Sequence, residues 1–465
     1  MENGNNLTAQ EATEQALLYA YPLLAFQKEY TSLAPRIGVN NLGHARQLAT
    51  SQSRSTVKPN ADTIYSTALY DISNDDLQID IPALPATQYA LFSFHDLYGN
   101  NFAVVGPGNL TEAQTLYLTH NAATHQAHEP HGKRISSPTT FGLLMIRWLV
   151  RDDNLQTIHF LQNSTAVRPS PRQAQAYYND LRANPSLESI DRSKDTRSPA
   201  NGALRLLCQV GDVNTPGHLA NATVQEALHS SAFCADNSTL PADDIEASDR
   251  NVRAKFMSAG QASLKEQNNG WSVIQPNLAG KFGDNYGLRA QISMTGYLML
   301  QASAALYPSW SRSSNSTGPP LQGEILELGA RESYIYTFSS KPPLDKLGFW
   351  SLTVYDADGY LIDNPRNVSS IGDRSDITYS SGTLVYGPTS SAELDGQFQL
   401  LVQPADVTPP ANWTSNWLPA PSGGGRFTAL LRFYNATDEL QDGRWQFPVV
   451  SKQQCMVDSG DCAGL

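Results

Sequence analysis

The sequence predicts an α+β, β-rich fold: two jelly-roll-like β-sandwich domains, with an N-terminal helix ahead of them and a helical block between them. Three observations carry this. From "KPNADTIYSTALYDIS" onward the chain breaks into short β-like runs, among them "QIDIPAL", "QYALFSFHDLYG" and "NFAVVGPG", separated by Pro, Gly and Asn-Asp clusters. After "SSPTTFGLLMIRWLV" a helical period returns, and from about Glu324 the β texture resumes and runs to the tail. Runs of strands separated by a block of helices are not the alternating βαβ pattern of a parallel sheet. The boundaries read as 1–40 for the N-terminal helical segment, 41–168 for the first β domain, 169–308 for the helical block and 309–465 for the second β domain with its Cys-containing tail.

The elements follow in chain order. Thr8 and Glu11 form a capping-box pattern at the head of "EATEQALLYAYPLLAFQKEY", in which Pro22 is expected to kink the helix. In the helical block, Ser170-Pro171 opens "RQAQAYYNDLRA", and Thr223 with Glu226 repeats the capping-box pattern. "PADDIEASDRNVRAKFMSAGQASLKEQ" and "DNYGLRAQISMTGYLMLQASAALY" read as long helices, and "WSRSSNSTGPPLQGE" as a linker. In "FWSLTVYDADGYLIDNP", Trp350, Leu352 and Val354 alternate with Phe349, Ser351, Thr353 and Tyr355, so the run is a strand with two faces. The Trp350 face reads as core and the Ser351, Thr353 and Tyr355 face as a pocket wall. A turn on "DADG" follows, and Asn364 closes the stretch as a turn residue.

With 465 residues, 40% hydrophobic and 16% charged, the chain can bury real cores without metals or disulfides. A net charge of −12 with no basic stripe excludes nucleic acid as a partner, since phosphate-backbone affinity needs clustered Lys and Arg. The best apolar run, "TGYLMLQASAALY", is broken by Gln301 and Ser303 and predicts no membrane span. N-x-S/T sequons at Asn6, Asn109, Asn163, Asn221, Asn237, Asn315, Asn367, Asn412 and Asn435 point to a glycoprotein that is secreted or resides in the secretory-pathway lumen. "MENGNNLTAQ" has neither basic n-region nor apolar h-region, so a signal peptide is expected to be absent from this chain. Cysteines agree with an oxidising compartment: sequence separation makes Cys208–Cys234 and Cys455–Cys462 the default pairing of the three that four cysteines allow, with four free thiols as the alternative. Assembly of identical chains stays open.

"KPNADTIYSTALYDIS" with "SPTTFGLLMIRWLVRDDNLQTIHFLQ" resembles the domain of unknown function 1254. "FGDNYGLRAQ", "FWSLTVYDADGYLIDNP…IGDR" and "NWLPAP…RFTALLRFYNAT…GRWQFP" resemble its usual companion, the domain of unknown function 1214. The resemblance implies two jelly-roll-like β domains with a helical portion, in a secreted, fungal-type member. It implies no general activity: a bacterial relative is associated with phosphate-ester hydrolysis, and fungal relatives occur among tailoring proteins of secondary metabolism. Where the bacterial pattern commonly has an Arg-Tyr pair after Asn-Pro, "NPRNVSS" has Val368 and Ser369, a departure that weakens the carry-over of a phosphate role.

No G-x-S-x-G elbow, P-loop, H-E-x-x-H or dinucleotide fingerprint is present, so flavin, nicotinamide and ATP are not implied and no cofactor is expected. "THNAATHQAHEPHG" places His120, His125, His128 and His131 close together, but with Glu129 as the one carboxylate it reads as a solvated loop, and no metal is expected. In "PNADTIY", Asp62 could act as a general base beside Asn60 and Tyr65, or Asn60 and Asp62 could simply build an Asx-turn. His95 in "FSFHDLYGNN" is the best single acid–base candidate, its neighbour Asp96 pointing to the opposite strand face and Tyr98 lying just beyond. Arg147 and Arg289 are charges inside apolar runs and need a partner, either a carboxylate or a ligand anion. Tyr286, three residues before Arg289, shares its helix face. Among the C-terminal aromatics Trp350 and Trp445 read as core, while Tyr355 with Ser351 and Thr353, and Trp417, are taken as substrate contacts.

The expected catalytic set is therefore His95, Asp62 and Tyr355, with Tyr65, Tyr98, Arg147, Tyr286, Arg289, Ser351, Thr353 and Trp417 binding a hydrophobic small molecule. The expected activity is cyclisation, isomerisation or dehydration without a cofactor in natural-product biosynthesis, by conformer control and acid–base catalysis. A phosphate-ester hydrolase using Arg147, Arg289 or Arg366 is the second reading, and a non-catalytic binding glycoprotein the third.

Overall fold

Thr8 and Glu11 start the first helix, α1 (Ala9–Ile37), as a reciprocal cap: the Glu11 N–H donates to Thr8 Oγ1 at 3.2 Å and the Thr8 N–H to Glu11 Oε2 at 2.8 Å. In this computed structural model, which describes residues 8–54, 57–120, 132–151, 154–171, 186–190, 198–210, 214, 242–311, 325–387 and 396–458, the helix is not interrupted at Pro22 or at Pro35. A proline inside a helix costs about 3 kcal/mol. Burial of Leu17, Tyr19, Ala20, Leu23 and Phe26 in one core offsets that cost.

The first β domain carries β1 (Gly43–His44), β2 (Thr63–Asp71), β3 (Asp76–Ile81), β4 (Ala90–Asp96), β5 (Asn101–Val105), β6 (Gln114–His120), β7 (Lys133–Ser137), β8 (Phe141–Leu149), the helix α2 (Leu155–Ser164) and β9 (Ala166–Ser170). Two sheets form, in the orders β1-β2-β8-β4-β5 and β7-β6-β3-β9. Strand alternation turns Ile64, Ala68, Phe92, Phe94, Leu144, Ile146 and Trp148 of the first toward Leu77, Ile79, Leu116 and Leu118 of the second, closing a sandwich core.

Three helices of the central segment, α3 (Pro199–Val210), α4 (Ala242–Ala262) and α5 (Tyr286–Thr295), pack with α1 into a separate core. The long helix expected from residue 284 onward is shorter than its apolar pattern: α5 stops at Gly296, and Leu298 takes a φ of 65°, which no helix accommodates. Short strands β10 (Leu264–Glu266), β11 (Trp271–Ile274), β12 (Ala305–Leu306) and β13 (Ser309–Trp310) interleave with these helices. The helix starts read at Ser170-Pro171 and at Thr223 lead into stretches that lie outside the described residues.

The second β domain contains β14 (Ile325–Leu328), β15 (Glu332–Phe338), β16 (Leu344–Asp356), β17 (Ser370–Gly372), β18 (Phe398–Pro404), β19 (Trp417–Ala420), β20 (Gly425–Ala436), the short α6 (Asp438–Gln441) and β21 (Val449–Gln454). One sheet runs β12-β20-β16-β17, with β14 also on β20, and the other β19-β18-β15-β21. Trp350, Leu352, Val354, Phe433, Phe398, Leu400 and Trp445 fill the space between them. The opposite face of β16 is equally buried: Phe349, Ser351, Thr353 and Tyr355 each have 0% exposure, because the first β domain covers them. Among the described residues no helix is long and apolar enough to cross a membrane.

Candidate functional site

The outer face of the first domain's large sheet makes the floor. Antiparallel register places Tyr65 opposite Arg147, Thr67 opposite Met145, Arg147 opposite Leu91, Met145 opposite Ser93 and Leu143 opposite His95. Paired residues share a face, so Tyr65, Thr67, Met145, Arg147, Ser93 and His95 all look away from the sandwich core, toward the helices and the second domain. Room remains above them, since Tyr65, Thr67 and Met145 are only half-buried on central strands whose neighbours are covered. Gly142 holds the lower end of this floor together. A Cβ there would lie 2.2 Å from both the His95 carbonyl oxygen and Tyr70 Oη, and without it the Tyr70 hydroxyl donates to that carbonyl at 3.1 Å.

The second domain supplies the facing wall. On β20, Phe427, Leu431 and Phe433 face the core while Arg432 and Tyr434 face the first domain. Asn60 makes an Asx-turn, its Oδ1 accepting from the N–H groups of Asp62 at 2.6 Å and Thr63 at 3.1 Å, and its Nδ2 donates across the domain junction to Tyr434 Oη at 2.7 Å. Asp62 crosses the same junction: its carboxylate accepts from Ser351 Oγ at 2.5 Å and Ser370 Oγ at 2.9 Å and pairs with Arg374. Tyr355 donates to the Pro59 carbonyl at 2.7 Å. Burial raises its phenol above the ordinary value, with the Arg432 guanidinium opposing. Asp62 and Tyr355 therefore hold the domains together, their polar atoms engaged across the junction. The Ser351, Thr353 and Tyr355 face is an interdomain contact.

His95 is different. Its exposure is 0% and neither ring nitrogen makes a hydrogen bond of good geometry, although the Gly99 backbone lies close enough to favour the charged ring. Burial pushes the imidazole down to about 3, with the Arg147 guanidinium acting in the same direction, so the ring is neutral through the physiological range. Arg147 donates to Ser93 Oγ at 2.9 Å and stands 5.6 Å from the centre of the Tyr65 ring, while its Nε is left without a partner. Burial opposes its charge, but the surrounding phenols of Tyr65, Tyr307, Tyr434 and Tyr89 carry its pKa above the ordinary value. The Tyr89 hydroxyl also lacks a partner.

A second cluster lies on the helical side. Arg289, with 0% exposure, is boxed by the rings of Tyr19, Tyr98 and Tyr286 at 4.6, 4.8 and 4.9 Å. Tyr286 and Arg289, expected from their spacing to address one space, share this box, and Tyr98 joins them there. One guanidinium nitrogen donates to the Tyr19 carbonyl at 3.2 Å, and the other two have no partner. Asp96 is within electrostatic reach of this guanidinium. Its own oxygens accept from the N–H groups of Tyr98 and Asn100 and from Asn100 Nδ2.

Trp417 belongs to neither cluster. It packs with Ile335 and Leu401 on the outer face of the other sheet of its domain, and Arg366 donates to its carbonyl at 2.9 Å. Of the histidine run, His120 is buried on β6, and His125, His128 and His131 lie outside the described residues. Among the described residues no group of three His, Cys, Asp or Glu could hold a metal ion. Neither Cys208 nor Cys455 is a free thiol, and Cys234 and Cys462 lie outside the described residues. Asn109, Asn163, Asn367 and Asn412 are exposed and Asn435 is half-buried, while Asn6, Asn221, Asn237 and Asn315 lie outside the described residues. Two surface grooves, of about 440 Å³ beside Leu84 and Leu347 and about 490 Å³ beside Asp80 and Gly132, hold none of these buried groups. The candidate site is therefore these buried groups themselves, on the outer face of β2, β4 and β8 and on the facing side of β20. Sequence reading missed Ser93, Tyr89, Tyr307, Arg374 and Arg432; only Arg432, a charge inside "TALLRFYN", carried the signal that singled out Arg147.

Residues 39–169 match DUF1254 and residues 322–438 match DUF1214, each a protein family of unknown function. No curated protein matches. Among solved structures, the VPA0106 protein from Vibrio parahaemolyticus is 16% identical with a TM-score of 0.61, over 96% of this chain and 99% of that one. An uncharacterized protein from Burkholderia cenocepacia is 12% identical with a TM-score of 0.44, over 96% of this chain and 94% of that one. The first likeness establishes a shared fold.

Proposed function

We propose that this protein of paired DUF1254 and DUF1214 domains is a cofactor-free enzyme that moves a proton on a hydrophobic small molecule, in a cyclisation, isomerisation or dehydration of natural-product biosynthesis. One observation carries the reading: a fully buried, neutral His95 whose ring nitrogens make no hydrogen bond of good geometry, on the same sheet face as Arg147. Buried polar groups are nearly always satisfied, so groups left open together mark a place where something else binds. The reactions named share one step. A C–H bond beside a carbonyl breaks, His95 takes the proton, and the electron pair passes through the new C=C bond onto the carbonyl oxygen, which Arg147 stabilises as an oxyanion. A weak base suffices there because the oxyanion forming beside it raises the affinity of the ring for its proton. Return of that proton to another carbon isomerises the substrate, and its delivery to a leaving hydroxyl dehydrates it.

Residence in the secretory pathway or outside the cell is part of the proposal, supported by the exposure of Asn109, Asn163, Asn367 and Asn412. Phosphate-ester hydrolysis has less support, because Arg147, Arg289 and Arg366 stand on three separate elements and Arg366 is engaged with Trp417. The test is deuterium exchange. A panel of hydrophobic enolisable ketones in D₂O is followed by NMR: the wild type should label the α-carbon above the buffer rate, and His95→Gln and Arg147→Met should each lose about 10²-fold or more. Ligand binding without exchange by the wild type would overturn the enzyme and leave a binding glycoprotein.

A further inference from the structure

We infer that the molecule held at this site is an acid, its anionic group seated between Arg147 and Arg432. The inference relies on the reading above for the position of the site and not for its catalysis. Arg147 and Arg432 are 6% and 5% exposed, and among the described residues neither makes an ion pair. Arg147 donates to Ser93 Oγ, while Arg432 donates to Thr353 Oγ1 at 3.2 Å and to the Lys58 carbonyl at 3.1 Å.

The neighbouring carboxylates are committed elsewhere: Asp62 to Arg374, Ser351 and Ser370, and Asp373 to Arg151 and Arg374. Tyr307 and Tyr434 stand within electrostatic reach of both guanidiniums, which brings the two cations into one neighbourhood. Aromatic faces at 5.6 Å from Arg147 and 5.5 Å from Arg432 ease the burial of charge without neutralising it. A buried charge without a counter-charge is a large penalty, and a protein with a net charge of −12 has no shortage of carboxylates with which to remove it. The missing partner is supplied by the ligand. The recognised chemistry is an oxyanion on an apolar body, since Tyr89, Phe349 and Tyr434 line the junction in mutual ring contact. Carboxylate and phosphate monoester share it.

Calorimetry with 2-naphthoate, 2-naphthyl phosphate and neutral 2-naphthamide, together with melting temperatures in acetate or inorganic phosphate against chloride at equal ionic strength, tests this. One of the two naphthyl anions should bind at least tenfold more tightly than the amide, and which one does identifies the head group. Acetate or phosphate should raise the melting temperature of the wild type, and Arg147→Met and Arg432→Met should each abolish both effects while keeping the wild-type circular dichroism. Equal binding of acid and amide, anion effects that persist in folded variants, or no anion effect in the wild type overturns the inference. Acid binding without deuterium exchange would remove the proposed catalysis and leave this inference standing; exchange on neutral ketones with no preference for acids would do the reverse.

Discussion

Acid should destabilise this protein through His95. The ring has an ordinary value of 6.5 and is pushed by burial to about 3 in the fold, with Arg147 adding to the effect. Between those values the unfolded chain binds a proton that the folded chain refuses, so the contribution is complete above pH 6.5 and is lost progressively as pH falls toward 3. Each pH unit in that window costs a little over 1 kcal/mol, so at pH 4.5, two units below 6.5, the loss is about 3 kcal/mol. Urea unfolding followed by tryptophan fluorescence at pH 7 and pH 4.5 measures it. His95→Gln, which cannot titrate, should lose about 3 kcal/mol less than the wild type between the two pH values, whatever its stability at pH 7. His44 moves in the same direction, to about 4, but it is half-exposed and remains in both proteins, so it cancels from the comparison. Identical pH slopes for wild type and variant would refute the burial of an unpartnered ring, and with it the base on which the proposed chemistry depends.

Two further substitutions probe the junction. Asp62→Asn keeps the shape but removes the charge facing Arg374, Ser351 and Ser370, and should cost about 3–5 kcal/mol, seen as an earlier urea transition and faster proteolysis between the two β domains. Tyr434→Phe removes the acceptor of the Asn60 Nδ2 bond and should cost about 1–3 kcal/mol in the same assay, since Asn60 is left buried with a donor unpaired.

The junction also marks where sequence reading stops. Alternation along "FWSLTVY" is a statement about one strand, and it separates Trp350 from Ser351 correctly because the period of a strand is two. What lies over the second face depends on a segment almost 300 positions away: Asp62 reaches Ser351 and Pro59 reaches Tyr355 across that separation. A polar residue on such a face reads the same whether it lines a pocket or docks a domain. The Asx-turn at Asn60 was legible for the same reason that its partner was not, the turn being local and Tyr434 remote. Arginine is the informative exception. A guanidinium inside an apolar run needs a counter-charge wherever the chain folds, so Arg147, Arg289 and Arg432 announce a polar site before any contact is known. Their partners then distinguish them. Arg289 has Asp96 and a box of three phenols, and Arg374, in a polar stretch that carried no such signal, has Asp62 and Asp373. Arg147 and Arg432, one from each β domain, have hydroxyls and a carbonyl where a carboxylate would be expected. Asp62 and Asn60 hold the two domains together while two buried cations across the same junction have no ion pair among the described residues, so on the proposed reading recognition of an anionic ligand is a property of the domain pair and not of either domain alone.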